Sequence, residues 1–194
     1  MTGTQAEENP LQRVLTRYYP DGIPELESCK IAGTGTTTVE GQEIDYSFTE
    51  VIELQKRFRW EFESYDLRYL ECYDGDFGHQ RIGDGNLQTF EGRDGASFRM
   101  RLMMESAAFV IPLTEPGVKI EVVNPNMIEA VFGTGDTVWL HFDPETYNPS
   151  KVRAKRFNAG ARKEMMMRIE LSDWMRAAKI VMPVTWRAAW EDTQ

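Results

Sequence analysis

Between residues 28 and 82 apolar and polar side chains alternate in short runs. The clearest is RFRWEFE at 57–63, where Phe58, Trp60 and Phe62 fall on one side and Arg57, Arg59, Glu61 and Glu63 on the other. A period of two belongs to a β-strand, whose successive side chains point to opposite faces. The preceding run agrees, with Ile44, Tyr46, Phe48 and Ile52 on one face. Turn signals at Glu40-Gly41-Gln42, Gln55-Lys56, Tyr65-Asp66 and Asp74-Gly75 separate these runs. Together they predict an antiparallel meander of successive hairpins with one aromatic and one polar face.

Two segments follow the helical period instead. In NPLQRVLTRYY at 9–19, Asn9 is an N-cap, Pro10 takes the first helical position, and Leu11, Val14, Leu15 and Tyr18 share a face. Asp21-Gly22 ends it. After a polar, glycine-rich loop at 83–95, ASFRMRLMMESAAF at 96–109 reads as a second helix. Its stripe is Ala96, Met100, Met103, Met104 and Ala107, widened by Phe98 and Leu102. Such a stripe is either core or a lid, because methionine adapts to irregular apolar shapes. Pro112 and Pro116 stiffen the exit. From residue 117 strands return as VKIEVVN, MIEAVFG, DTVWLHFD, KVRAKRF, EMMMRIELSDW and VMPVTWRAAW. In DTVWLHFD both faces carry bulk, so that strand is expected to be covered on both sides.

The stretch CYDGDFGHQ at 72–80 sets aspartates beside glycines and closes on a histidine. It lies between two apolar runs, and Asp-Gly there is a hairpin signal because glycine takes the positive φ of the turn. A calcium loop needs more oxygen ligands and a terminal glutamate. His79 has no nearby histidine or cysteine at zinc spacing. The stretch is read as a turn.

Composition narrows the classes. The chain of 194 residues is 41% hydrophobic with a net charge of −9, which suits one domain with a real core and argues against a phosphate-binding surface. The cluster Arg153, Lys155, Arg156, Arg162 and Lys163 is read as a solvated hairpin edge. The N-terminus has no basic and apolar leader pattern, residues 1–8 are expected to be disordered, and no apolar run has membrane-spanning length.

Taken in order, GTGTTTVEGQEIDYSFTEV, KRFRWEF, CYDGDFG, VWLHFDPETYNPSKVRAKR and LSDWMRAAKIVMPVTW resemble the LolA-like family of bacterial envelope proteins, which includes the periplasmic lipoprotein carriers. The resemblance spans roughly residues 11–190. It implies a single, strongly curved antiparallel sheet, an open half-barrel whose concave side is covered by helices and whose apolar cavity holds acyl chains. Carried over, Tyr46, Phe48, Phe58, Trp60 and Phe62 would line the cavity and Met100, Met103 and Met104 would face it from the covering helix. The carriers' lid is fastened by an arginine on an early strand; Arg57 or Arg59 occupies the matching strand, opposite the aromatic face. The resemblance also implies the periplasm or cell envelope, with a lipid or acylated protein and an envelope protein as partners. In that strand order Cys29 and Cys72 lie on the first and fourth strands, ~14 Å apart at ~4.8 Å per strand. That is beyond the ~7 Å a disulfide spans, so two unbridged thiols are expected.

Three classes of function compete. A binding module would bury an acyl chain at ~0.8 kcal/mol per methylene. An interaction protein would fill the barrel with its own side chains. An enzyme would need a nucleophile–base or carboxylate pair in a cleft. With only His79 and His141, no G-x-S-x-G and no histidine beside either cysteine in sequence, the expectation is a non-enzymatic binder of a hydrophobic ligand. It would have no cofactor, metal, nucleic acid or membrane span.

Overall fold

The computed structural model describes residues 9–39, 41–65 and 67–191. The expectations for residues 1–8, and for Glu40 and Asp66 in their turns, lie outside these. The chain is mainly β and its described residues divide into two compact units: residues 26–102 with 157–163, and residues 9–25, 103–156 and 164–191.

The first of these units holds a six-stranded antiparallel sheet in sequence order: β1 (Ser28–Val39), β2 (Gln42–Glu53), β3 (Arg57–Glu63), β4 (Arg68–Tyr73), β5 (Gly78–Ile82) and β6 (Gln88–Phe90). Every neighbouring pair is a hairpin, as the alternation and turn signals predict. Register puts Ile52 opposite Phe58 and Phe58 opposite Tyr73; further along the ladder, Phe48 opposes Phe62 and Phe62 opposes Tyr69. Residues directly opposite in an antiparallel ladder share a face, so the aromatic rows of β2, β3 and β4 form one continuous surface. Helix α2 (Gly92–Ala108) begins in this unit.

The second unit holds the other six-stranded antiparallel meander: β7 (Lys119–Asn124), β8 (Met127–Val131), β9 (Thr137–Phe142), β10 (Pro149–Asn158), β11 (Lys163–Ala177) and β12 (Ile180–Trp190). Its helix α1 (Pro10–Tyr18) starts where the sequence predicts. The Asn9 side chain accepts a hydrogen bond from the Leu11 N–H at 2.9 Å, and Leu11, Val14, Leu15 and Tyr18 are buried. The Tyr18 hydroxyl lies 2.7 Å from Asn148 Oδ1, and the Val181 N–H donates to the Tyr19 hydroxyl at 3.1 Å. Val138, Leu140 and Phe142 of β9 are buried while Trp139 and His141 are half-buried, so its two faces are covered unequally.

Three expectations are corrected. The strands form two hydrogen-bonded sheets where one was expected, because α2 and the 3₁₀ turn Ile111–Thr114 interrupt the ladder between β6 and β7. The loop at 83–95 contains β6 and the first turn of α2, whose helix starts at Gly92; a strand of three residues is too short to show a period. The basic cluster is solvated at Lys155, Arg162 and Lys163, but it does not lie on an edge strand: β10 runs between β9 and β11, and Arg153 forms a two-pronged ion pair with Glu191 at 2.9 and 2.5 Å. Cys29 and Cys72 form no disulfide. The register Cys29–Ile52–Phe58–Tyr73 puts two strands between β1 and β4 and leaves Cys72 on the opposite face.

Candidate functional site

The aromatic face of the β1–β6 sheet has a covered end and an open end. At the covered end Ile52, Phe58 and Tyr73 are buried. Phe98 of α2 lies flat against Gly78, stacked on Phe90 at 5.3 Å between ring centroids. At the open end five half-buried rings touch in sequence. Tyr46 lies 6.2 Å from Phe48 and 5.0 Å from Phe62; Phe62 lies 5.1 Å from Trp60 and stacks on Tyr69 at 5.2 Å. Contacts of this kind add roughly 0.5–1.5 kcal/mol per pair beyond burial.

The rings reach sideways over β1 because that strand has glycines beneath them. A Cβ at Gly33 would come within 2.9 Å of the Phe48 ring, and one at Gly35 within 2.7 Å of the Tyr46 ring. The GTGTTT run therefore provides a bare edge row on which two aromatic rings rest.

Between the two ends lies a charged group that sequence reasoning missed. Arg101 of α2 places its guanidinium 4.8 Å from the Phe58 centroid and 4.7 Å from the Trp60 centroid. From there it reaches Glu50 Oε1 at 3.0 Å and Glu71 Oε2 at 2.9 Å. Glu50, Trp60 and Glu71 are in register across β2, β3 and β4, so one arginine above the tryptophan spans both acids. All three charged side chains are largely buried, at 14% exposure for Arg101, 9% for Glu50 and 13% for Glu71. Gln80 extends the network by donating to the Tyr69 hydroxyl at 2.7 Å, which in turn lies 3.4 Å from Glu71. Burial, the largest cause, pushes the Tyr69 phenol well above its usual range, as it does for Tyr46 to a lesser degree. A signal for this group was present: Glu50 shares the inward parity of Tyr46, Phe48 and Ile52, where a carboxylate demands a partner.

The expected site residues separate accordingly. Tyr46, Phe48, Phe58, Trp60 and Phe62 are brought together on one face. Met100 is half-buried on α2, whereas Met103 and Met104 are fully buried core side chains in the second unit. Arg57 and Arg59 point away from the aromatic face and pair with Glu53 at 2.5 Å and Glu61 at 2.6 Å. Neither fastens the helix. The fastening runs the other way, from an arginine on the helix to two acids on the sheet.

Two open grooves run along this sheet, one of about 580 Å³ whose lining includes Thr34, Tyr46, Ser47 and Glu63, and one of about 670 Å³ whose lining includes Phe48, Phe62, Tyr69 and Arg81.

The CYDGDFGHQ stretch is the β4–β5 turn. Asp74 Oδ1 accepts from the backbone N–H of Asp76 and Phe77 at 2.9 and 2.7 Å, while Oδ2 lies 2.9 Å from His79 Nε2. His79 Nδ1 lies 3.2 Å from Thr89 Oγ1. The His79 hydrogen bond, with those from the backbone, holds the Asp74 carboxyl down at about 2, against 3.8 for an unperturbed aspartate. A carboxyl with a lowered folded pKa contributes stability above its unfolded value and loses it as pH falls through the folded one. The Asp74 contribution is therefore complete above about pH 4 and lost towards pH 2, and it is small because the side chain is half exposed. His79→Ala is expected to move the Asp74 carbon resonance titration upward towards the ordinary aspartate range. A titration unchanged by that substitution would show that the backbone N–H groups alone hold the carboxyl down.

Asp143 closes the next turn by accepting from Thr146 N–H at 2.7 Å and Thr146 Oγ1 at 2.8 Å, and burial lowers the His141 pKa, helped by Lys151 and Arg153. Among the described residues no group of three or more His, Cys, Asp or Glu side chains is placed to hold a metal, and no helix is long and apolar enough to cross a membrane. No protein-family model matches the chain, and no curated protein matches its sequence.

Proposed function

We propose that this protein is a non-enzymatic binder of a lipid or other hydrophobic ligand, taken up on the aromatic face of the β1–β6 sheet and carried or sensed there. The observation that supports this is the contiguous row of half-buried rings, Tyr46, Phe48, Trp60, Phe62 and Tyr69, over which α2 reaches as far as the Arg101 guanidinium on Trp60. Large aromatic surface shared between strands and still in contact with water is what an apolar chain can cover. About ten buried methylenes correspond to ~8 kcal/mol of gross transfer free energy, which equals a micromolar affinity only before association costs, so a longer chain or added polar contacts must supply the difference. Kinship with the LolA-like family, its envelope location and an acylated protein as cargo belong to this reading. A second reading, an interaction protein that takes no ligand, is favoured by a different observation: the rings already pack on one another, and Met103 and Met104 are committed to the core.

Phe62 separates the two readings better than Trp60, since Trp60 also carries Arg101. Phe62→Ala is expected to weaken binding of a dansyl-labelled fatty acid by about tenfold or more, ~1.4 kcal/mol, with helix and strand content unchanged. Saturable binding that Phe62→Ala leaves intact would move the ligand elsewhere, and the absence of any saturable signal in the wild type would favour the ligand-free reading.

A further inference from the structure

The edges of the two sheets are guarded unequally. An edge strand presents unpaired backbone N–H and C=O groups, and natural proteins blunt it by shortness, charge, proline or a bulge. β6 has three residues. β7 carries Lys119 and Glu121 and a register irregularity between Val122 and Asn124. β12 carries Pro183 and Arg187. β1 has none of these beyond Lys30. It runs for twelve residues, about twice the usual strand length, it is the outermost strand of its sheet, and among residues 30–38 every second side chain is exposed. Thr34, Thr36, Thr37 and Thr38 give it strong strand propensity.

We propose that β1 is a pairing edge at which two copies of this chain join antiparallel, with Thr34 facing Thr34 across the two-fold axis. Three features point to a second copy as the occupant. The first is charge. In this register Lys30 faces Thr38, Ala32 faces Thr36 and Thr34 faces itself, so no like charges oppose one another, and threonine pairs are favourable cross-strand neighbours. The second is parity. Odd-numbered residues face odd-numbered residues, which keeps the aromatic surfaces of both copies on the same side of one twelve-stranded sheet. The third is the bare row. Gly33 faces Gly35 of the second copy, so the Phe48 ring that overhangs Gly33 meets the second copy's Tyr46 ring, and the contact recurs on the other side of the axis. A row of larger side chains would hold the rings apart; the glycines let them meet. The inference stands on the edge and requires no ligand.

The test is the mass of the full chain in solution by light scattering across a dilution series, for the wild type and Thr34→Lys. Thr34 is exposed in a single copy, so the lysine leaves the fold intact but sets two like charges against each other on the axis. Twice the chain mass of 22.4 kDa is expected for the wild type, and the monomer mass for Thr34→Lys with an unchanged circular dichroism spectrum. The register is tested separately in a Cys29→Ser, Cys72→Ser background. Thr34→Cys is expected to form an intermolecular disulfide on mild oxidation, because directly opposed residues have Cα atoms ~4.5–5.5 Å apart. A wild type that stays monomeric, a Thr34→Lys variant that still dimerises, or a dimer in which Thr34→Cys fails to cross-link would each overturn the proposal. Strand pairing seen only with an added peptide from another protein would overturn it as well.

Discussion

Arg101→Met is expected to destabilise the protein by about 3–5 kcal/mol, read as a shift of the urea unfolding midpoint at constant slope. The side chain holds two largely buried carboxylates, Glu50 at 3.0 Å and Glu71 at 2.9 Å, and its removal leaves both without their cation beside Trp60. Most of that loss comes from stranding the acids, so a triple variant separates the causes. Glu50→Gln, Glu71→Gln and Arg101→Met combined should recover most of the stability, because neutral amides are far less costly to bury than unpaired carboxylates. A single variant with wild-type stability would mean that the two acids reach water without the arginine, and the helix would then be held by Phe98 and its neighbours alone.

Gly78→Ala is expected to cost about 1–3 kcal/mol, the range for overfilling a packed site. A Cβ there would lie 2.3 Å from Phe98 Cδ2, and the ring cannot retreat freely because it is stacked on Phe90. The close approach of α2 to β5 depends on this glycine. Gly78→Ala with Phe98→Leu should regain part of the loss by making room, whereas Phe98→Leu alone should be destabilising through the gap it opens. Equal stability of Gly78→Ala and wild type by thermal unfolding would mean that helix and sheet can separate at no cost.

The parts of this fold that were legible are those governed by local periods. RFRWEFE alternates because one face is aromatic and packed while Arg57, Arg59 and Glu63 remain in water. The helix α1 was legible from Asn9, Pro10 and the Leu11–Val14–Leu15–Tyr18 face, all of which act over a few neighbouring turns. What escaped depends on pairing across strands. Glu50 and Glu71 are twenty-one positions apart, and only the register through Trp60 brings them under one guanidinium. Nothing local in the sequence distinguishes Arg101 from the other charges of α2; only that register places an acid on each side of its guanidinium. Gly78 was visible as part of a turn signal, yet its role is set by Phe98, twenty positions later. The number of sheets was hidden for a similar reason: the sequence shows that strands resume after α2, but which strand each one pairs with is decided by hydrogen bonding between distant segments.

The most direct measurement of ligand binding is native mass spectrometry of the protein as purified, followed by organic extraction and identification of what accompanies it. Bound fatty acid or phospholipid, lost from the Phe62→Ala variant, is the predicted result. A bare mass of 22.4 kDa per chain that does not change after incubation with lipids would contradict it and turn the aromatic face into a packing surface.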